Sequence, residues 1–311
     1  MDLPSTFAHN GWNVKYGVFE PQTTETQNLQ TVLFVHGTPW SSEVHIPLAK
    51  ALLSTKRYRV ILYDLPGYGQ SQEVPRDISS EGSAMELFKL DMQMDTSVKA
   101  QGAALAALIE HLNLTSPPCI IAHDIAGAIV LRTHLIHDID FASLMLLETN
   151  TVLPWGDGFY RLARERPEAF VEMPPAIFEA VVRAVIRSAS HDPETFPSTW
   201  EDTLAKPWTQ DGKAWRQRSF VRQIAQANDE DVKEMLDQDL YSKVRCDVKI
   251  VWGESDQWIP KAMLEKLGEM LGERMKEFVV VPEAGHLVMI DQPETIAVET
   301  LEWLSKTSAS Y

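Results

Sequence analysis

Asp124 sits in a setting that can make a carboxylate into a nucleophile. The segment IIAHDIAGAIVLR, residues 120–132, passes from an apolar, β-branched run through a turn into helix-forming residues. Around the turn stand Ala122, His123, Asp124, Ile125, Ala126 and Gly127. Small neighbours let a backbone bend sharply enough to hold one side chain above a sheet edge. Taken alone, Asp124 reads equally as a helix N-cap, because aspartate accepts hydrogen bonds from the orphan NH groups of a helix start. Three further segments tip the balance.

TVLFV at 31–35 runs into His36-Gly37-Thr38-Pro39-Trp40. A loop there lets the backbone NH groups of Thr38 and Ile125 converge on an oxygen that develops negative charge beside Asp124. VKIVW at 248–252 runs into GESDQWIP at 253–260, placing Asp256 past a strand end and before a helix. Such a carboxylate can fix an imidazole tautomer and stabilise its charged form. EFVVV at 277–281 runs into PEAGH, so that His286, alone among nine histidines, follows a terminal strand with a small residue before it. From that loop it can reach back as a general base. Trp40, His123, Trp155 and Tyr160 are the candidates for substrate contact.

The elements that must position these residues are legible in outline. Short β-branched runs at 31–35, 58–63, 119–122, 142–147, 248–252 and 277–281 alternate with helical stretches such as 97–112. Strands buried on both faces and separated by helices imply a mostly parallel sheet. Pro260 and Pro293 are placed where a first helical turn begins, since a proline there loses no needed hydrogen bond. Between the runs ending at 147 and starting at 248 lie roughly a hundred residues, far more than an ordinary connection. That stretch holds Trp155, Trp200, Trp208 and Trp215 and seven prolines, which predicts several short helices packed as a lid. The expected domains are therefore a core of 1–150 and 246–311 and a lid of 151–245.

Composition narrows the function. The 311 residues carry 28 Lys+Arg against 44 Asp+Glu, a formal charge of -16. A chain so acidic repels phosphate backbones and anionic lipid, so nucleic acid and membrane are not expected partners. No export signal or run long enough to span a bilayer is read. The two cysteines, Cys119 and Cys246, read as packed free thiols in a reducing cytosol. No metal cluster or dinucleotide fingerprint is seen, Gly67-Tyr68-Gly69 being too short, so neither metal nor cofactor is expected. The expected partner is a small-molecule substrate, with oligomeric state open.

The order Asp124, Asp256, His286, the HGTP loop, DLPGYGQS at 64–71, the AHD bend and the final AGH resemble the α/β-hydrolase superfamily over nearly the whole chain. Within it they resemble the aspartate-nucleophile branch of epoxide hydrolases and haloalkane dehalogenases. The resemblance implies an α/β-hydrolase fold: a mostly parallel eight-stranded sheet flanked by helices, with an inserted helical lid. It also implies a covalent alkyl-enzyme ester on Asp124, because a carboxylate attacking a carbonyl gives a poor anhydride intermediate whereas attack on saturated carbon gives an ordinary ester. Some haloalkane dehalogenases take the orienting acid from the end of the strand before the lid, where Glu148 follows LMLL, so the resemblance makes Glu148 an alternative to Asp256, whose GESDQWIP setting resembles the commoner acid loop. Haloalkane dehalogenases place a halide-gripping tryptophan directly after the nucleophile, where this chain has Ile125, so an epoxide hydrolase-like activity is favoured. Epoxide hydrolases use two lid tyrosines, for which Tyr160 is a fair candidate and Tyr241 a weaker one. A dehalogenase, a cofactor-free lyase, isomerase or cyclase using an Asp-His proton-transfer pair, and a non-catalytic small-molecule receptor remain alternatives.

Overall fold

The computed structural model describes residues 1–22, 29–72, 82–155 and 158–307. Eight strands form one sheet: β1 (Ser5–His9), β2 (Trp12–Phe19), β3 (Gln30–Val35), β4 (Tyr58–Tyr63), β5 (Cys119–His123), β6 (Ser143–Leu147), β7 (Asp247–Gly253) and β8 (Met275–Val281). Their spatial order is β1-β2-β4-β3-β5-β6-β7-β8. Pairing is antiparallel from β1 through β2 to β4 and parallel from there to β8. The six β-branched runs of the sequence are β3 to β8. The central strands β5 and β6 are buried along their whole length, as expected where helices cover both faces of a parallel sheet.

On the chain order of helices, α1 (Ile46–Ser54), α2 (Ala84–Asp91), α3 (Val98–Leu112) and α4 (Ala126–Leu135) precede β6. The helix read at 97–112 is α3, with Ser97 as its N-cap accepting a hydrogen bond from Ala100 NH at 3.2 Å. Between β6 and β7 come α5 (Gly158–Glu165), α6 (Pro167–Val171), α7 (Pro175–Ser188), α8 (Ser198–Thr209), α9 (Ala214–Gln226) and α10 (Glu230–Asp237). After β7 follow α11 (Lys261–Leu271), α12 (Val288–Asp291) and α13 (Pro293–Thr307). Pro293 opens its helix as expected, whereas Pro260 lies one residue earlier than expected, at the N-cap of α11.

The helices between β6 and β7 divide by what they touch. Helices α5 to α9 pack on one another, with α9 in contact with α5, α6, α7 and α8, and α2 of the core joins this group. The return leg is different: α10 packs on α3, and the turn Leu240–Lys243 packs on α4 and α11, along the flank of the sheet. A parallel crossover must bring the chain back to the start of the next strand, and α10 makes that journey. One charge is buried inside β7: Lys249 ion-pairs with Glu277 at 2.9 Å and Glu299 at 2.6 Å. Two carboxylates and a carbonyl satisfy the ammonium, which is what a buried charge requires.

Among the described residues no helix is long and apolar enough to cross a membrane. Both cysteines are buried and free.

Candidate active site

The bend after β5 holds Asp124 at φ +56°, in the left-handed region. Non-glycine residues pay for that conformation, and the surroundings fix it here. Asp124 NH donates to Leu147 O at 3.0 Å, and Asp124 O accepts from Gly127 NH at 3.0 Å and Asn150 NH at 3.1 Å. The carboxylate is thereby lifted over the ends of the strands. Its Oδ2 accepts a hydrogen bond from Thr38 NH at 2.9 Å. Gly37 makes that approach possible, for a Cβ there would stand 2.5 Å from Asp124 Cβ.

Burial pushes the Asp124 carboxyl above its ordinary value, while the nearby His286 and the NH groups of Ile125 and Thr38 pull it back. The NH groups of Thr38 and Ile125, read from the sequence as donors to an oxygen beside Asp124, thus stand next to its carboxylate.

The loop that carries them is held from below and above. His36 is buried, its Nδ1–H donating to Gly37 O at 2.9 Å while Nε2 accepts from Leu65 NH at 3.0 Å. Burial lowers its pKa, so the neutral ring can play both parts. From above, Thr38 Oγ1 donates to Gln223 Oε1 of α9 at 2.8 Å, and Trp208 Nε1 of α8 donates to Pro39 O at 2.8 Å. Tyr68, from the DLPGYGQS segment, donates to Thr38 Oγ1 at 3.2 Å.

His286 arrives from the loop after β8. Gly285 NH donates to Asp291 Oδ2 at 2.8 Å, Leu287 NH donates to Ala189 O at 3.0 Å, and His123 Nε2 donates to His286 O at 2.8 Å. A Cβ on Gly285 would lie 2.6 Å from His191 N, so the segment after α7 can close down on this loop only over a glycine. The imidazole Nδ1 donates to Asp256 Oδ2 at 3.0 Å, which turns Nε2 toward Asp124 Oδ1 at 3.8 Å. Trp258 stacks on the ring, centroids 4.6 Å apart and planes 26° from parallel.

The two candidate acids are sorted by position. Asp256 Oδ1 accepts from the NH groups of Trp258 at 2.7 Å and Ile259 at 3.1 Å, leaving Oδ2 for the imidazole. Against its burial, the charge of His286 and these hydrogen bonds hold its pKa below the usual aspartate value. Glu148 is buried at φ +45° and accepts from Gly253 NH. Burial first, then the Asp256 charge, push its pKa well above the usual glutamate value. Glu148 therefore stands behind Asp256 with its carboxyl pushed toward the protonated form, and the imidazole is bonded to Asp256.

Asp124 opens into a cavity of about 340 Å³, whose wall includes Thr38, Ile125, Asn150, Trp155, Tyr160 and Trp258. Of the four residues expected to touch substrate, Trp155 and Tyr160 line it. His123 and Trp40 are corrections to the sequence reading. His123 is fully buried beneath His286, its ring spent on the backbone of that residue. Trp40 is buried against Trp258, stacked at 5.8 Å, and so backs the wall. Tyr241 is likewise buried away from the cavity, its hydroxyl donating to Thr151 O at 2.7 Å. Trp258 was missed, although its position two residues after Asp256 was a usable signal; Asn150, Gln223 and Arg164 carry none. Among the described residues no group of three or more His, Cys, Asp or Glu side chains is placed to hold a metal.

Residues 32–299 match the profile of the alpha/beta hydrolase family. A solved alpha/beta hydrolase fold protein from Burkholderia ambifaria is 30% identical, with a TM-score of 0.77 over 97% of this chain and 98% of that one. A thermophilic esterase from Thermogutta terrifontis is 21% identical, TM-score 0.69, covering 97% of both chains. The epoxide hydrolase CorEH is 17% identical, TM-score 0.71, over 97% of this chain and 98% of that chain. At those last two identities the likeness is one of fold.

Proposed function

The chain belongs to the alpha/beta hydrolase family, and from that membership and the setting of Asp124 we propose a hydrolase that works through an aspartate nucleophile on an epoxide-like electrophile. The observation that carries the reading is the division of labour in one carboxylate: Oδ2 accepts from the NH of Thr38 while Oδ1 faces His286. An oxygen already held by an NH donor is the one that will bear charge when the ester is hydrolysed. The other is free to attack carbon. A carboxylate in the place of a hydroxyl disfavours ester substrates, because its acyl product is an anhydride. Ile125, next in the chain, lends no side-chain donor to a departing halide, which puts epoxides ahead of haloalkanes.

In this reading Asp124 Oδ1 attacks an epoxide carbon as the ring C–O bond breaks. Tyr160, on the cavity wall, delivers a proton to the leaving oxygen. His286 then takes a proton from water, whose oxygen adds to the ester carbon of Asp124. Negative charge collects on Oδ2 against the NH groups of Thr38 and Ile125, and Asp256 stabilises the imidazolium. Collapse expels the alkoxide, which takes the proton from His286 to give the diol, and leaves Asp124 as the acid, whose proton restores the Tyr160 phenolate. Helices α5 to α9 serve as the lid that closes the cavity over these steps, a shorter stretch than residues 151–245, since α10 belongs to the flank of the sheet.

The test is intact-protein mass spectrometry of a His286→Gln variant incubated with a panel of small epoxides and haloalkanes. Trapping of one alkyl group per chain, mapped to Asp124, is the expected outcome, together with diol release by the wild type. Diol formation without any adduct assigns the site to proton transfer, and wild-type inertness to the whole panel removes the enzyme reading.

A further inference from the structure

We propose that the electrophile carries a carboxylate, gripped at the cavity wall by Arg164 and the indole NH of Trp155. This deepens the reading of the cavity as a hydrolase substrate site and rests on it. Arg164, on α5, lines the same cavity as Asp124. Its guanidinium donates only to backbone carbonyls, Ala227 O at 3.3 Å and Trp155 O at 3.4 Å, both beyond the usual length of such bonds. Among the described residues no carboxylate lies within ion-pair distance of it. Other arginines of the molecule are provided for: Arg183 has Glu179, Glu201 and Asp202, Arg218 has Asp91, and Arg132 has Glu234. Arg216 is also half-buried without a carboxylate, but it is held by bonds of 2.8 Å to Gln72 and 2.7 Å to Pro207 O; of the two, the Arg164 guanidinium, on the cavity wall with only long bonds, is the one free to turn to a ligand anion.

Trp155 supplies the second observation. It is 5% exposed, lines the cavity, and its Nε1 is buried without a hydrogen-bond partner. A buried NH with no acceptor is destabilising, a cost that a ligand oxygen removes. A carboxylate suits the pair, since one oxygen or both can accept from the flat guanidinium fork and still have lone pairs for the indole. Electrostatics asks for the same arrangement: an anionic substrate approaching the Asp124 carboxylate is repelled unless a cation holds its charge. The hydrocarbon between the two ends meets Ile125, Pro154, Ile224 and Ile259. The substrate class is thus a short apolar acid bearing an electrophilic carbon.

The experiment is titration calorimetry of hexanoate and hexanamide against wild type, Arg164→Gln and Arg164→Lys at one ionic strength. Wild type is expected to bind hexanoate at least about tenfold more tightly than the amide, about 1.4 kcal/mol. R164Q erases the preference and R164K keeps part of it. A wild type that binds neither ligand, or binds both alike, overturns the proposal without recourse to any variant; so does an R164Q protein that retains the preference. Because no covalent step is read, a failure to trap an ester on Asp124 leaves this result standing and fails the nucleophile alone.

Discussion

Two buried carboxyls side by side near the imidazole are pushed in opposite directions by their settings. Glu148 is driven upward by burial, and Asp256 is held down by His286 and its hydrogen bonds. The consequences for stability have opposite signs. A carboxyl whose folded pKa lies above its unfolded value contributes stability below the unfolded value, here near 4.5, and loses it as pH rises through the folded value. Asp256 contributes above about 3.8 and loses that contribution as pH falls through its lowered folded value. Glu148→Gln keeps the acceptor for Gly253 NH and cannot ionise. Denaturant unfolding across a pH series is therefore expected to show wild type declining on the alkaline side of the glutamate range where the variant stays flat. Parallel curves would mean that Glu148 ionises in the fold much as it does in the unfolded chain.

The strand-to-loop junctions are the elements on which the site depends, and the HGTP loop is the most tightly seated. It touches Asp124 through the Thr38 NH and α8 and α9 through Pro39 and Thr38. Gly37→Ala puts a methyl group 2.5 Å from Asp124 Cβ, so the loop must retreat. Displacement of a reacting group by about 1 Å is worth about 10²-fold in rate, and a loss of that order in kcat/KM is expected, read by steady-state turnover of whichever panel substrate the wild type accepts. Turnover within a factor of two of wild type would show the loop to be free to move. These junctions were also the most readable part of the sequence. Asp124, Asp256 and His286 each follow an apolar, β-branched run that reads as a strand, two of them interior and the last, β8, at the sheet edge, and the structure brings the three together. The antiparallel strands β1 and β2 escaped notice, because β1 alternates exposed with half-buried residues, β2 mixes exposed residues with buried ones, and neither forms a continuous apolar run. His123 and Trp40 were misplaced for a different reason. Nearness in sequence to a bend does not say which side of the backbone a ring takes, and packing beneath His286 and behind Trp258 decided it.

On the scale of the whole molecule, charge and connectivity matter most. A net charge of -16 is a self-repulsion that salt weakens, since the screening length falls from about 30 Å at 0.01 M to about 8 Å at 0.15 M. The buried Lys249 cluster is screened far less. Calorimetric scans at pH 7 are expected to show Tm rising by about 2–4 °C over that range of sodium chloride, whereas a fall would place the dominant charge effects in attractive pairs. Connectivity could be read only as a surplus of residues between two strands; that α10 returns along the sheet flank while α5 to α9 cover the cavity depends on contacts between distant segments. The roof leaves the sheet at β6 and the chain re-enters at its immediate neighbour β7, so the excursion is a single unbroken detour from adjoining threads. Such a detour can be exchanged for another of different length and lining without rethreading anything beneath it. New chemical appetites can then be acquired by altering one cassette while the proton-handling floor is inherited intact.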